Sequence, residues 1–409
     1  MSYIEVEELS REPETLIRSC KIKVNGKSFT TPSRSVSVTK STKTELDVAK
    51  PLITQNNTPL GEVYTRISLD DLSRIADDSK QGHERGEEFS KSISLRLEQL
   101  RDLGTIPYLV ISVVDSNGNP YNQLPEKKIL DLIFNLLWGT QNNAIIVPPL
   151  MGIFPEEKQY LDLINALHER QESSNGRKPL PIMPIIPSAY ALVAPTLLKQ
   201  YWDIGCRLFA FNCENKKYGA FGFVIEKAHT ELDKFSKESK ESYAIHALNS
   251  KLKTGKGDTS RINSILGSGF GFDSFSSNHI IPKFIPPSTD IKDFFVFNDG
   301  DYGFSSFSKV VDPDKVLNTN IFKKYDLGEF DNLSSSVKLK VCNSHNIEKS
   351  IREIQSYPKF IESEKLVTYL SNKEKIKGEI LEIKNIAGHI KNPEMANEKA
   401  SKKKKWFKK

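Results

Sequence analysis

The sequence predicts an α/β fold, a closed (β/α)8 barrel of the TIM type with a β-hairpin before it and a helical extension after it. Three observations predict this. The run Tyr108-Leu-Val-Ile-Ser-Val-Val-Asp115 is continuous, apolar and β-branched, and it stops at an acidic residue and a turn, so it reads as a strand buried on both faces. An amphipathic segment follows from Lys128 to Trp138, with apolar residues at helical spacing. This β-turn-α pattern recurs between residues 105 and 280, and strands alternating with helices of that length imply parallel connections. With about six such strands in that window and further candidates before it, closure into eight is expected rather than an open sheet.

The elements follow in chain order. Residues 1–20 are charged and read as a mobile leader. Lys21 to Phe29 alternates polar and apolar residues around Asn25-Gly26, which predicts a hairpin, and Thr31-Pro32 leads into Ser33 to Val38. The polar stretch 39–62 receives no element. Leu69 to Ile75 and Phe89 to Leu103 carry helical patterns, the second through Ile93, Leu95, Leu97, Leu100 and Leu103. In the repeating region Pro125 fits a first helical turn, and Ala144 to Val147 is a short strand closed by Pro148-Pro149. A helix through Tyr160, Leu161, Ile164 and Leu167 comes next, then Ile182 to Pro187 and a helix reaching Tyr201-Trp202. Arg207 to Asn212, a charged helix over Ile225 to Lys237, Tyr243 to Asn249 and the stretch from Gly267 to His279 complete the series. Asn298-Asp-Gly-Asp301 lacks the donor spacing and closing glutamate of a calcium loop and reads as a hairpin turn. Past residue 346 the chain turns helical and charged, over Ile347 to Ile354, Glu364 to Leu370 and Lys373 to Ile390. The expected organisation is a leader at 1–20, a barrel at 21–330, a helical extension at 331–395 and a basic tail at 396–409.

Length and composition are compatible with that plan. A chain of 409 residues supports one large domain or two ordinary ones, and 38% hydrophobic with 27% charged residues is an ordinary balance for a soluble protein. The net charge of +6 is concentrated at the end. There Lys402, Lys403, Lys404, Lys405, Trp406, Lys408 and Lys409 combine cations with aromatic faces, a composition suited to phosphate contact and base stacking. Cys20, Cys206, Cys213 and Cys342 have neither the short paired spacing of a zinc knuckle nor the density of a disulfide framework. The acidic N-terminus lacks the apolar segment of a signal peptide, and Leu180 to Leu198 is interrupted by Pro181, Pro184, Pro187 and Pro195 and so is no membrane span. A cytoplasmic protein without a membrane partner is expected.

Active sites of such barrels form at the C-terminal ends of the strands, so the polar residues ending each run are the candidates. They are Asp115, Ser116 and Asn117; Asn212; His246 and Asn249; and Asp273, Ser274 and Ser276. Strand-end Asp, Asn and Ser residues also cap the following helix, which is the structural alternative for each.

The segment order resembles that of the tRNA-guanine transglycosylases, barrel enzymes that exchange a guanine base for a 7-deazaguanine. Lys23-Val-Asn-Gly-Lys-Ser-Phe-Thr-Thr-Pro32 with Ser35-Val-Ser-Val38 resembles the family's N-terminal hairpin and first strand. Asp115-Ser-Asn-Gly118 resembles its Asp-Ser-Gly-Gly, whose Asp is the general acid/base, and Leu124-Pro-Glu with Asn143 to Val147 resembles the next helix and strand. Gly205 to Asn212 falls at the base-recognition strand, and Gly271-Phe-Asp-Ser-Phe-Ser-Ser277 at the strand of the nucleophilic Asp. The chain departs from the family where its nucleophile falls on Ser276, with Asp273 upstream, and at Pro148-Pro149 and Pro187-Ser188, where base-recognition groups are replaced. In the zinc region only Cys342 and His345 remain, two ligands where a structural site needs four, so no cofactor is expected.

The resemblance implies base exchange in nucleic acid, tRNA before DNA, through a glycosyl-enzyme intermediate, with Asp273 as nucleophile and Asp115 as acid/base. Ser116, Asn117, Gly118, Asn212, His246, Asn249 and Ser276 would then contact the guanine or 7-deazaguanine. An alternative is a non-catalytic, nucleic-acid-binding accessory subunit, acting as a homodimer or paired with an active relative. A further alternative is a barrel enzyme for a small phosphorylated substrate, gripped by backbone N–H groups at Gly267-Ser-Gly269.

Overall fold

The computed structural model describes residues 4–13, 15–38, 46, 48–53, 59–77, 80–140, 142–173, 179–256, 259–276, 278, 279, 294–324 and 327–391. The chain opens with β1 (Ile4–Arg11), β2 (Arg18–Val24) and β3 (Lys27–Thr30), an antiparallel sheet in that order. Asn25 and Gly26 both have positive φ, 49° and 85°, as the tight turn between β2 and β3 demands and as Asn-Gly tolerates best. Residues 4–11 are thus a paired strand rather than a mobile leader. Their charge masks an alternation that places Ile4 inside and Glu5 and Glu7 in solvent.

The chain then alternates. Segments β4 (Ser33–Arg34) and β5 (Val36–Ser37) precede β6 (Leu60–Ser68), α1 (Leu69–Ile75) and α2 (Lys80–Asp102). Next come β7 (Ile106–Val114), α3 (Lys127–Gly139), β8 (Ile145–Ile146), α4 (Glu157–Glu172), β9 (Ile185–Ile186) and α5 (Pro195–Asp203). After them follow β10 (Leu208–Asn212), α6 (Gly222–Ser239), β11 (Ala244–Leu248), β12 (Lys253–Thr254), β13 (Arg261–Ile262) and β14 (Ser274–Phe275). Helix α3 starts at Lys127 with Glu126 as its cap, so Pro125 precedes the helix rather than sitting in its first turn.

Two parallel sheets result, ordered β5-β6-β7-β8 and β4-β14-β11-β10-β9. They are linked at both edges. Along residues 33–38, the Ser35 N–H donates to Phe275 O on one side and the Val38 N–H to Glu62 O on the other, while Ile146 and Ile182 form a parallel bridge. One sheet face carries Val63, Leu109, Ile111, Val113, Phe209, Phe211, Ile245, Ala247 and Phe275 into a core shared with the helices. The alternate residues, among them Leu60, Tyr64, Ile106, Tyr108, Val110, Ala210 and Leu248, join a second core with Ile22, Val24 and Phe29 of the hairpin. Burial on both faces explains why these strands read as unbroken apolar runs.

An antiparallel sheet ordered β12-β13-β16-β15 adds β15 (Phe295–Asn298) and β16 (Gly303–Ser306), joined by the predicted hairpin turn. The helical extension holds α7 (Ser335–Glu362), α8 (Leu366–Ser371) and α9 (Lys377–Lys391). It is tied back by Tyr302, whose hydroxyl lies 2.5 Å from Glu353, by Lys349 with Asp299 at 3.0 Å, and by Arg261 with Glu379 at 2.6 Å. Among the described residues, no helix is long and apolar enough to cross a membrane.

Candidate functional site

Parallel strands bring all their C-terminal ends to one edge, and there the polar residues that end β10, β11 and β14 are knitted together. Asn249 donates its side-chain amide to Asn212 Oδ1 at 3.4 Å and its backbone N–H to Ser276 Oγ at 3.1 Å. Its own Oδ1 accepts the backbone N–H of His279 at 2.7 Å, and the Ser250 hydroxyl donates to Ser276 O at 2.7 Å. Asn212 Oδ1 also receives the Glu214 N–H at 3.0 Å. Three residues here, Glu214, Asn215 and Asn249, have φ of 50°, 54° and 53°. Asparagine enters that left-handed region readily, whereas glutamate does so rarely. Glu214 is held there by its side chain, which meets the Ser188 hydroxyl and Lys216 Nζ, each at 2.6 Å.

A cavity of about 190 Å³ opens beside this cluster. Its walls are apolar, from Pro148, Pro149, Ile185, Pro187 and Tyr201, and its polar groups are Ser188, Asn212 and Glu214. The volume lies below the roughly 300–1,000 Å³ of sites for drug-sized ligands and suits a single small ring system.

Deeper along the same strands, on the face away from the helices, runs a buried polar column. Ser274 Oγ lies 2.7 Å from His246 Nδ1, and His246 Nε2 lies 2.7 Å from the Tyr108 hydroxyl. That hydroxyl donates to Glu62 Oε2 at 3.0 Å, and His279 Nε2 meets Glu62 Oε1 at 3.1 Å. The His279 ring stacks on Tyr64, with centroids 4.1 Å apart. Burial pushes His246 down to about 4 against the opposing charge of Glu62. Burial by itself would raise Glu62, but His279, His246 and the Tyr108 hydroxyl outweigh it and hold the carboxyl below its ordinary value. Glu62, Tyr64, Tyr108 and His279 were not among the sequence-predicted candidates. The available signal was Glu62-Val-Tyr-Thr-Arg-Ile67, whose alternating β-branched pattern marks a strand at the edge of a stretch assigned no element.

The predicted catalytic pair does not assemble. Asp273 precedes β14 and is 1% exposed, and Arg18 grips both its oxygens, Nε to Oδ1 at 2.9 Å and Nη2 to Oδ2 at 2.8 Å. Oδ2 also accepts the Ile245 N–H at 2.7 Å. Asp115 follows the far end of β7, where its carboxylate accepts the Asn119 N–H at 2.7 Å and is held below its ordinary value chiefly by that bond. Ser274, adjacent to Asp273, is level with His246 and through it with Tyr108, and Asp115 lies seven residues beyond Tyr108. At strand rise that is roughly 20 Å. The two carboxylates therefore sit at opposite ends of the strands.

Of the remaining candidates, Asn212, Asn249 and Ser276 come together, and His246 lies beneath them. Ser116, Asn117 and Gly118 form the turn after β7, where Gly118 (φ 82°) accepts from Arg66 through its carbonyl. The tail residues Lys402 to Lys409 lie outside the described residues. Gly267, Ser268 and Gly269 offer no open phosphate grip, since all are buried and a side chain at Gly269 would strike Ile383 of α9. His345 spends both ring nitrogens on Thr319 and Phe297 O, each at 3.0 Å, and among the described residues no group of three or more His, Cys, Asp or Glu could hold a metal. No protein-family model and no curated protein matches this chain.

Proposed function

We propose that the parallel segments form one closed TIM-type barrel whose C-terminal mouth binds a purine-like base presented by nucleic acid, without glycosyl transfer through Asp273. Closure is supported by the links at both sheet edges, which join 33–38, β6, β7, β8, 182–186, β10, β11 and β14 in sequence around a ring. The observation that carries the ligand reading is the small cavity at the strand ends, with apolar walls for a flat ring and Glu214, Ser188 and Asn212 for its edge. A carboxylate accepts the N–H groups that a guanine presents.

The buried Arg18–Asp273 pair favours the accessory role over base exchange. A nucleophile must reach an anomeric carbon, and Asp273 has both oxygens engaged away from the mouth. The resemblance to the transglycosylases supports tRNA before DNA as the partner, a related subunit as companion, and a cytoplasmic setting.

Incubation with guanine-labelled tRNA and, separately, DNA tests this reading. The expected result is saturable tRNA binding by fluorescence anisotropy, weakened roughly tenfold by Glu214→Gln, with no label released. Release or exchange of labelled guanine by the purified chain would replace the accessory role with base exchange. Absence of binding to either nucleic acid would discard the reading.

A further inference from the structure

Among the described residues, four histidines are deeply buried: His229, His246, His279 and His345. Three of them bond through both ring nitrogens. His229 meets the Tyr243 hydroxyl and Gly271 O, each at 2.7 Å; His246 meets Ser274 and Tyr108; His345 meets Thr319 and Phe297 O. His279 is the exception, because its Nε2 meets Glu62 while its Nδ1 is buried with no hydrogen-bond partner. Buried polar atoms are seldom left so, and the other three rings avoid that cost.

We infer that Glu62 and His279 form an acid–base pair on the inner strand face, beneath the ends of β10, β11 and β14, in which Glu62 fixes the imidazole and Nδ1 accepts an N–H from a heteroaromatic ligand. This inference rests on the base-binding reading above and adds a second contact to it. The side chains of Glu62 and His279 are 0% and 4% exposed, so the pair is shielded from competing water. A carboxylate can only accept, so the proton between them belongs to Nε2, and Nδ1 keeps its lone pair. A second proton on Nδ1 would be buried with nothing to receive it.

The ring cannot turn away from this task. It is stacked on Tyr64 at 15° between planes, and its backbone is held by Asn249. Asn249 in turn bonds Asn212, which lines the cavity, so His279 and the cavity wall belong to one hydrogen-bonded cluster. Glu62 is itself oriented by the Tyr108 hydroxyl, which leaves one of its oxygens for the imidazole. The arrangement is that of a carboxylate orienting a histidine by one nitrogen so that the other can act. The titratable groups facing the ring are Glu62 and Tyr64 of β6, with Tyr108 of β7 and His246 of β11 behind them.

The test is equilibrium dialysis of labelled guanine with the full chain, beside ¹⁵N NMR of the histidine rings. Wild-type protein is expected to bind guanine, to carry the His279 proton on Nε2 facing Glu62, and to shift the Nδ1 resonance when guanine is added. His279→Phe keeps the stack on Tyr64 and removes the acceptor, so binding should weaken about tenfold or more. Glu62→Gln keeps the volume and should release the tautomer, which NMR reads even where binding is little changed. If His279→Phe binds guanine like the parent, if the Nδ1 resonance ignores guanine as it would for an occluded water, or if wild type binds no guanine, the inference is overturned. Loss in Glu214→Gln with parental binding in His279→Phe sinks this inference and leaves the cavity reading. The opposite pattern sinks the cavity reading and leaves this one.

Discussion

Asp273 just before β14 and Glu62 within β6 are both buried carboxylates beside parallel strands, yet their surroundings differ in kind. Asp273 meets a guanidinium in a two-point grip and a backbone N–H, and Arg18 is further packed over the Tyr243 ring at 4.1 Å. Such a charge is fully committed to holding the hairpin against the sheet. Glu62 meets a hydroxyl and an imidazole, groups that can change their protonation or their partner, and the imidazole leads to an atom with an unmade bond. Burial of a carboxylate therefore says little about its role. What its partners can still do says more.

The sharpest way to break this contrast is to remove the charge at the hairpin. Asp273→Ala leaves Arg18 buried and uncompensated, and should cost about 3–5 kcal/mol of stability by urea denaturation. A loss under about 1 kcal/mol would show that Asp273 is not holding the hairpin and would return it to the list of functional groups.

Acid should sharpen the contrast next. His229 and His246 are pushed down to about 4, mainly by burial, and both are neutral in the folded chain at pH 7. In the unfolded chain they take up protons below about 6.5, so their contribution is complete above that pH and is lost as pH falls toward 4. The expected loss is on the order of 1–3 kcal/mol for each ring, and His246→Gln should flatten the slope measured between pH 7 and pH 4.5. An unchanged slope in that variant would mean the column titrates elsewhere.

The smallest effect belongs to Asp115. Its carboxylate closes its own turn through Asn119, so Asp115→Asn should leave the urea midpoint nearly unchanged and tRNA binding within about twofold. A loss of binding tenfold or greater would place this turn at the ligand and revive its acid/base role.

Much of the architecture was legible because it is local. The strand at Tyr108, the helix after it, the hairpin at Asn25-Gly26 and the helices past residue 346 all follow from side-chain period and turn chemistry. The leader was misread because Ile4-Glu-Val-Glu7 looks charged before it looks alternating. The site was legible in part. The rule that strand ends carry chemistry picked out Asn212, Asn249 and Ser276, which the fold brings together, and it also admitted Asp273, which lies just before a strand.

Alternation by itself marks a strand in Gly271-Phe-Asp-Ser-Phe-Ser276, but a shift of one residue exchanges the two faces, and nothing in the segment says where the strand starts. Pairing with β11 decides both, aligning His246 with Ser274 and leaving Asp273 outside the strand beside Arg18. The sequence by itself determined most of the strands and helices, because backbone preference and hydrophobic period act over a few neighbours. Only the tertiary structure decided which carboxylate is spent and which histidine keeps one nitrogen without a hydrogen bond, because those depend on partners as far apart as Arg18 and Asp273 or Glu62 and His279.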